Sequence, residues 1–187
     1  DSLKSAKGVL QNLRRDSTYI HVELFNHHRR QALATSTYAL PFPIDSVLAL
    51  SGSPDSARVG KMYVHNDTIF YPIIAPVYEG KNKIGDIVNW RTMKATRKSL
   101  DDLSALLGTD ARLYLGNADG SLWTDMVKPV AMPMQPSKND SGIFSYTRED
   151  DQEVIAAVKP IGNSKWMVAV ELSKTKILEA SNRFLNW

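Results

Sequence analysis

Two residues on one strand of the chain, with tyrosines on the neighbouring strands, form the strongest candidate for a binding site. Alternation along the strand places Asp86, Val88 and Trp90 on one face. An aromatic ring there can stack on a ligand ring or cover a cation, and the carboxylate of Asp86 can supply charge. The predicted ligand-binding residues are Tyr63, Tyr71, Asp86 and Trp90. The alternative interpretation is that these aromatic side chains fill a core that holds no ligand.

Catalytic and metal-binding chemistry finds little support in the sequence. The pair His27-His28 lies in a polar turn, where adjacent side chains point apart, whereas zinc needs two or more ligands at a fixed spacing. The chain has no Gly-x-Ser-x-Gly elbow, no HExxH motif and no phosphate-binding loop. We therefore predict no catalytic residues, no metal site and no cofactor, and we do not expect this chain to be an enzyme.

Size and composition indicate a globular chain with room for a packed core. It has 187 residues, of which 43% are hydrophobic, and a formal net charge of +3. The basic residues are scattered rather than gathered in a stripe, which argues against nucleic acid as a partner. There is no cysteine, so disulfides and thiolate metal sites are excluded. The chain starts at Asp1 without methionine, from which we expect it to be part of a longer protein.

The order of predicted elements positions the candidate residues, and it occurs twice. The first copy is a helix at 2–15, a hairpin at 19–36, a loop at 41–60, and strands at 61–65, 68–78 and 84–90. The second copy is a helix at 92–107, a hairpin at 112–125, a loop at 127–139, strands at 142–146, 153–161 and 165–172, and a closing helix at 174–185. Pro76 and Pro160 take the same place, just before a turn.

This repeat, with a period of roughly 85 to 90 residues, predicts the domain organisation. The predicted fold class is α+β, with two tandem units that each form a curved antiparallel sheet flanked by helices. The first unit covers 1–91 with the N-terminal helix, residues 92–108 form a connecting helix, and 109–187 form the second unit with the C-terminal helix. Prolines at strand ends and bulges curve such a sheet, and Gly85 allows a close backbone approach at the start of the next strand.

Two stretches of the chain carry a resemblance to a known family. Residues 75–90, APVYEGKNKIGDIVNW, have a strand that ends in Pro-Val, a charged turn with glycine, and an Ile-Gly start to the next strand. Residues 112–123, RLYLGNADGSLW, form a strand, an Asp-Gly turn and a return strand. Both resemble the Cache domain, the extracytoplasmic relative of PAS, in its tandem form. The resemblance implies five-stranded sheets with helices on one face and a cavity on the other.

The resemblance also implies a function and a setting. Cache domains lie outside the inner membrane of bacteria between two membrane helices, bind small molecules, and pass a shift along their terminal helices to a cytoplasmic kinase, cyclase or chemotaxis output. We therefore expect a periplasmic sensor domain of a membrane-anchored receptor, with an unknown small-molecule ligand and a possible homodimer through the terminal helices. A secreted or periplasmic binding protein or enzyme without a membrane link is the alternative.

One position departs from the amino-acid-binding members that this chain resembles. Those members carry a carboxylate, which binds the ligand amine, about five residues after the glycine that opens the strand. Counted from Gly85, that place is taken here by Trp90. The Arg-aromatic-aromatic ligand motif of those members is not found either. An ordinary amino-acid sensor is therefore not expected from the first unit.

Overall fold

The computed structural model describes Gly8 and residues 17–37, 40–51, 56–107, 111–132, 142–148 and 150–185. Apart from Gly8, which is helical, the predicted N-terminal helix at 2–15 lies outside the described residues. Clustering of backbone contacts divides the chain into two compact units, Asp1–Lys94 and Ala95–Trp187. The two are called unit 1 and unit 2 below.

The described strands and helices follow one another in nearly the order that the sequence predicts. The strands are β1 (Tyr19–Asn26), β2 (Gln31–Ala34), β3 (Arg58–Val59), β4 (Tyr63–His65), β5 (Thr68–Glu79), β6 (Asn82–Thr92), β7 (Arg112–Asn117), β8 (Trp123–Thr124), β9 (Pro129–Val130), β10 (Gly142–Thr147), β11 (Glu153–Pro160) and β12 (Trp166–Ser173). The helices are α1 (Ile44–Leu48), α2 (Arg97–Leu107) and α3 (Lys174–Leu185). The closing helix predicted at 174–185 has the same bounds in the structure.

Unit 1 is built on an antiparallel sheet in which β6 lies between β1 and β5. The strand order is β2-β1-β6-β5-β3, and β4 also pairs with β5. The expected five strands are wrong: the sheet has six, because the edge beside β5 consists of two short strands. Pro72 lies in β5 opposite the break between them, and its carbonyl accepts the amide of Gly60 at 2.9 Å.

Unit 2 is built on a second six-stranded sheet. Its order is β10-β11-β12-β7-β8-β9. Here too five strands were expected, and the sixth is β9, a two-residue strand within the predicted loop at 127–139. Met126 has a positive φ of 71°, and the amide of Asp125 bonds to the carbonyl of Lys128 at 3.3 Å. This turn reverses the chain and lets Pro129–Val130 pair with β8.

The two sheets share one topology, which confirms the predicted tandem arrangement. In each, the first and last strands of the unit pair side by side, with the first hairpin on one side and the remaining strands on the other. Pro76 pairs with Asp86, and Pro160 pairs with Met167. Gly85, the residue before Asp86, pairs with Asn26 at the end of β1. Trp166, the residue before Met167, pairs with Asn117 at the end of β7. Both registers therefore equate Asp86 with Met167, and Pro76 with Pro160.

The helix predicted to begin at Thr92 begins at Arg97 instead. Thr92 is the buried last residue of β6, and its amide donates to the carbonyl of Thr18 at 2.8 Å. The helix starts after Thr96, whose hydroxyl oxygen accepts the amide of Ser99 at 3.1 Å, as an N-cap does. Pairing of Thr92 with the sheet thus outweighs the local helical pattern.

Each unit has a core of its own on the inner face of its sheet. In unit 1 the buried side chains are Phe25, Val47, Leu48, Ile74, Val88 and Trp90. In unit 2 they are Trp123, Ala156, Val158, Met167 and Ala169. Helix α1 contacts β5, and α3 contacts β11 and β12. Among the described residues, no helix combines the length and apolarity that a membrane crossing requires.

Candidate functional site

Three of the four residues predicted to bind a ligand lie on one face of the unit 1 sheet. Asp86 and Trp90 alternate along β6 and are 4% and 2% exposed. Tyr63 pairs with Phe70, which in turn pairs with Thr92, so the tyrosine shares their face. Tyr71 pairs with Arg91, and it lies on the opposite face because neighbouring residues of a strand alternate. The structure therefore does not bring Tyr71 together with the other three.

The aromatic rings on this face pack against one another. Phe42 stacks on Tyr63 with ring centroids 4.7 Å apart, and its centroid is 5.5 Å from that of Trp90. The indole N–H of Trp90 donates to Oε2 of Glu23 at 2.7 Å, so the polar edge of the ring has a partner inside unit 1. This arrangement is that of a filled core, the alternative that the sequence left open.

Asp86 also has its partners within unit 1. The ammonium group of Lys83 lies 2.8 Å from Oδ1 of Asp86, and the hydroxyl of Ser51 donates to the same oxygen. Ser51 follows the segment that carries Phe42 and α1, whose side chains pack into the core. The carboxylate therefore fastens the end of this segment to β6. That role is structural, and it leaves the predicted binding role of Asp86 without direct support.

A cavity of about 700 Å³ lies in unit 2, on the inner face of its sheet. Part of its lining is apolar and comes from α2, β7, the turn between β8 and β9, and the end of β9 with the two residues after it: Leu100, Leu103, Leu113, Met126, Val127, Val130, Ala131 and Met132. The charged or hydroxyl-bearing lining residues are Asp101, Ser104, Arg112, Tyr114, Asp125, Arg148, Asp150 and Glu171. A concave, mostly apolar space with a few convergent polar groups is typical of small-molecule sites.

Glu171 is the most deeply buried charged group of this cavity. It is 1% exposed and lies on β12. The hydroxyl of Tyr146 donates to its Oε1. Its Oε2 has only long contacts, with the hydroxyl of Tyr114 at 3.5 Å and a guanidinium nitrogen of Arg148 at 3.6 Å. This oxygen therefore keeps most of its capacity to accept a hydrogen bond from a ligand.

Both arginines of the cavity lie near acidic or amide side chains, but the buried Nε of Arg148 has no hydrogen-bond partner. Arg112 lies 3.5 Å from Asp150, and Arg148 lies 3.2 Å from the other oxygen of the same carboxylate. Arg148 also donates to the side-chain oxygen of Gln152. The side chain of Arg112 is 52% exposed, whereas that of Arg148 is 12% exposed and lies deeper in the cavity wall.

Burial changes the acid–base properties of the cavity. It raises the pKa of Glu171, and the charge of Arg112 and the hydrogen bond from Tyr114 oppose this rise. Burial, together with the nearby charge of Glu171, also raises the pKa of Tyr114. A donor or cation bound at Oε2 would stabilise the ionised carboxylate and offset the effect of burial.

The position of Glu171 in unit 2 is the position of Trp90 in unit 1. Trp90 follows Asp86 by the same number of residues as Glu171 follows Met167, and these two starting points are equivalent by register. Glu23, which pairs with Val88, is likewise equivalent to Tyr114, which pairs with Ala169. Each unit therefore joins an aromatic donor to a carboxylate across the same two strands, with the two residue types exchanged.

Sequence reasoning missed Glu171 although a signal for it was present. The predicted strand at 165–172 contains Glu171, but the carboxylate position of the amino-acid-binding members is defined by its distance from a strand-opening glycine. No glycine stands at the corresponding place in unit 2, because Trp166 is there. Trp90 follows Pro76 by 14 residues, whereas Glu171 follows Pro160 by 11, so the two places become equivalent only through the strand registers.

The raised pKa of Glu171 makes a prediction about stability. A carboxyl group whose pKa is higher in the folded state stabilises the fold fully below its unfolded pKa, and this contribution is lost as pH rises through the folded pKa. We expect the free energy of unfolding of the wild type, relative to Glu171→Gln, to fall as pH rises from about 4 to 7. Urea denaturation at several pH values measures it.

Glu153→Gln is the matched control for this prediction. Glu153 is an exposed carboxylate 2.8 Å from Lys174, and this hydrogen bond and charge lower its pKa. Its contribution is therefore present above the unfolded pKa and is lost as pH falls, which is the opposite sign. Equal pH profiles for the wild type and Glu171→Gln would contradict the assignment.

Metal binding has no support in the described part of the chain. Nowhere in residues 17–37, 40–51, 56–107, 111–132, 142–148 and 150–185 do three His, Asp or Glu side chains come together as a metal ion would need. The aromatic contact between His27 and His28, with ring centroids 3.8 Å apart, lies in the turn after β1.

Comparison with solved structures shows what this fold is similar to. The ligand-binding domain of the amino-acid chemoreceptor PctB of Pseudomonas aeruginosa PAO1, in complex with L-Arg, matches with a TM-score of 0.61 at 15% identity, covering 98% of this chain and 77% of that one. The extracellular domain of the putative histidine kinase mmHK1S-Z2 matches with a TM-score of 0.64 at 9% identity, covering 94% and 83%. The periplasmic domain of RsbU from Chlamydia trachomatis matches with a TM-score of 0.57 at 10% identity, covering 95% and 78%.

These similarities show that the chain has the fold of these ligand-binding, extracellular and periplasmic domains, as the resemblance in the sequence implies. At such low identity they establish the fold and leave the ligand of this chain open. No protein-family model matches the sequence, and no curated protein matches it.

Proposed function

We propose that this chain is the extracytoplasmic sensor domain of a bacterial membrane receptor and that it binds a small molecule in the cavity of unit 2. The observation that carries the proposal is Glu171, a buried carboxylate in the wall of a cavity of about 700 Å³. Its Oε2 can accept a further hydrogen bond, because its contacts are at 3.5 Å and 3.6 Å. The fold supports it, since the similar structures are ligand-binding and extracellular domains of chemoreceptors and histidine kinases. Enzymatic activity is not part of the proposal.

The position of Glu171 also supports a path for the signal. Glu171 belongs to β12, and α3 begins at Lys174, directly after the last residue of that strand. A ligand that binds Glu171 more tightly in one position of β12 than in another shifts the population between the two positions. Since α3 continues from this strand, the shift reaches the helix that leads to the C-terminus, and in the full receptor to the membrane.

In unit 1, the filled aromatic core supports a structural role. The side chains of Phe42, Tyr63 and Trp90 contact one another, and the indole N–H bonds to Glu23. We infer that unit 1 has a structural role and binds no ligand on this face, and that unit 2 binds the ligand. A secreted or periplasmic binding protein shares the binding step but lacks the membrane link.

A screen of the 187-residue chain against a metabolite library by thermal shift tests the binding step. A ligand that binds only the folded state raises Tm as its concentration increases. At a ligand concentration of a hundred times Kd, the free energy of unfolding rises by about 2.7 kcal/mol. We expect Glu171→Gln to reduce the shift and the exposed-site control Glu153→Gln to keep it. Hydrogen exchange with the ligand bound should slow in β12 and the first turn of α3.

Two results would contradict the proposed function. One is that no compound of the library raises Tm, and the other is that the chain converts a bound compound into a product. A test of the membrane link is separate: the gene that encodes this chain should code for hydrophobic segments just before Asp1 and just after Trp187.

A further inference from the structure

Two turns of unit 1 lie side by side at one end of its sheet. One turn joins β1 to β2, and the other joins β5 to β6. They are neighbours because Asn26, at the end of β1, pairs with Gly85, near the start of β6. Residues 27–30 and 79–84, which form the two turns and the strand ends beside them, are all exposed. These residues are called the basic tip below.

The basic tip carries more positive than negative charge. Its fixed cations are Arg29, Arg30, Lys81 and Lys83. Its one carboxylate is that of Glu79. Lys83 is paired at 2.8 Å with the buried Asp86, whereas the other three cations form no ion pair within the part of the chain that the structure describes. An exposed cluster of cations without partners attracts anions.

Hydrogen bonds of Asn26 fasten the turn that carries the two arginines. Its side-chain oxygen Oδ1 accepts the amides of His28 and Arg30, each at 3.0 Å. Its own amide donates to the carbonyl of Arg30 at 2.9 Å, and its carbonyl accepts the amide of Arg29 at 2.8 Å. The arginine side chains therefore start from a preorganised backbone, which lowers the entropic cost of binding a partner.

Arg29 has a backbone conformation that does not suit arginine. Its φ is 60°, in the left-handed region that glycine adopts without steric cost. A residue with a Cβ atom is strained there, so Arg29 destabilises the turn relative to glycine. The chain thus holds an exposed cation, which has no ion-pair partner of its own, at a place where it weakens the fold. A contact outside the chain gives this cation a role.

An exposed apolar side chain lies between the two turns. Val77 pairs with Gly85 and Tyr78 pairs with Lys83, so Ile84 is the extra residue of a β-bulge. Its side chain is 43% exposed. Interfaces between proteins typically combine an apolar centre with a polar or charged rim. Ile84 and the cations beside it have this arrangement on a small scale.

The composition of the basic tip favours an acidic protein over other polyanions. A guanidinium group binds a carboxylate through two parallel N–H donors. Membrane surfaces and single-stranded nucleic acids are typically bound by several apolar or aromatic side chains that accompany the cations. Within residues 27–30 and 79–84, Ile84 is the one large apolar side chain.

We propose that the basic tip of unit 1 binds the acidic surface of a partner protein. Its two arginines and Lys81 pair with carboxylates of the partner, and Ile84 contacts an apolar side chain between them. None of these residues lines the cavity of unit 2. The inference therefore goes beyond the proposed function and does not depend on it.

A labelled peptide of glutamates around one central leucine tests the class of partner. Fluorescence anisotropy with the 187-residue chain measures its Kd, beside a peptide that has glutamine in place of glutamate. We expect the acidic peptide to bind at least about tenfold more tightly, the ratio that three exposed ion pairs together supply. Equal affinities, or binding of neither peptide, overturn the proposal. Sedimentation of the chain with phosphatidylglycerol vesicles in place of peptide binding overturns it as well.

Double variants test whether the peptide binds at the basic tip. Arg29→Gly with Arg30→Gln removes two adjacent cations, and should weaken the binding of the acidic peptide about fivefold. Arg97→Gln with Lys98→Gln is the matched control, because it removes the same charge from adjacent exposed residues of α2. We expect it to change Kd by less than about twofold. Equal weakening by the two double variants would show that net charge alone attracts the peptide, which overturns the proposal.

The single variant Arg29→Gly separates binding from folding. Because glycine relieves the strain at this position, we expect Tm to rise by about 2 °C. The Kd of the acidic peptide should nevertheless weaken about twofold. An unchanged Kd in this variant overturns the proposal. None of these measurements uses a ligand of unit 2, so their failure leaves the proposed function standing, and a failed ligand screen leaves this inference standing.

Discussion

Replacing Trp90 by alanine is expected to lower the free energy of unfolding by about 3 to 5 kcal/mol, as for other buried tryptophans. The ring is 2% exposed and packs near Phe42 and Tyr63, so its removal leaves a cavity among side chains that cannot fully collapse. The change also removes the N–H donor of Glu23, whose carboxylate is then left without the 2.7 Å contact. Urea denaturation followed by circular dichroism measures the loss.

Two further variants sharpen this prediction. Trp90→Phe keeps much of the volume but lacks the N–H, so we expect a smaller loss, on the order of 1.5 to 3 kcal/mol for a hydrogen bond to a charged group. Leu106→Ala is the control, because Leu106 is 82% exposed. A loss below about 1 kcal/mol for Trp90→Ala would show that the ring is not part of the core. It would reopen the hypothesis that Trp90 binds a ligand.

Replacing Gly85 by alanine is the second large expected effect. A Cβ atom at this position would lie 2.1 Å from the carbonyl oxygen of Phe25, and this neighbour is backbone that a side-chain rotation cannot move. Strands β1 and β6 would have to separate at the point where they pair. Overpacking of this kind typically costs about 1 to 3 kcal/mol, and we expect the upper end of that range here.

A glycine of the same chain provides the control for this variant. At Gly162 an added Cβ would meet nothing within 4 Å, so Gly162→Ala should change stability little. Equal stability of the two variants, measured by thermal denaturation under one set of conditions, would contradict the close approach at Gly85. The sequence predicted this approach from the glycine alone, and the structure identifies Phe25 as the neighbour.

The exchange between Trp90 and Glu171 gives the two units different properties from one architecture. A large ring at this position fills the inner face of unit 1, and a carboxylate at the equivalent position of unit 2 leaves a polar wall beside an open space. One topology can therefore support both a packed core and an open cavity. In the proposed function, single side chains at equivalent places assign ligand binding to unit 2 and a structural role to unit 1.

Most of the strand pattern and the repeat were predictable from the sequence. Alternation placed Asp86, Val88 and Trp90 on one face, and all three are buried. Pro76 and Pro160 marked equivalent places, and the registers confirm it. These features are local, because alternation, proline and glycine act through the backbone of their own strand. The predicted start of α2 was wrong, since Thr92 pairs with residue 18, far away in the chain.

Local patterns in the amino-acid sequence were thus enough to predict that the chain builds two similar antiparallel sheets, and where most of their strands lie. Which unit keeps a cavity, and what lines it, follows from the folded arrangement. The neighbours of Glu171 are Tyr114, Tyr146 and Arg148, which lie on or beside other strands and meet the carboxylate only once the sheet has formed. The difference arises because the alternation that marks a strand can be read in consecutive residues, whereas a buried charge and the space beside it depend on which distant segments pack against it.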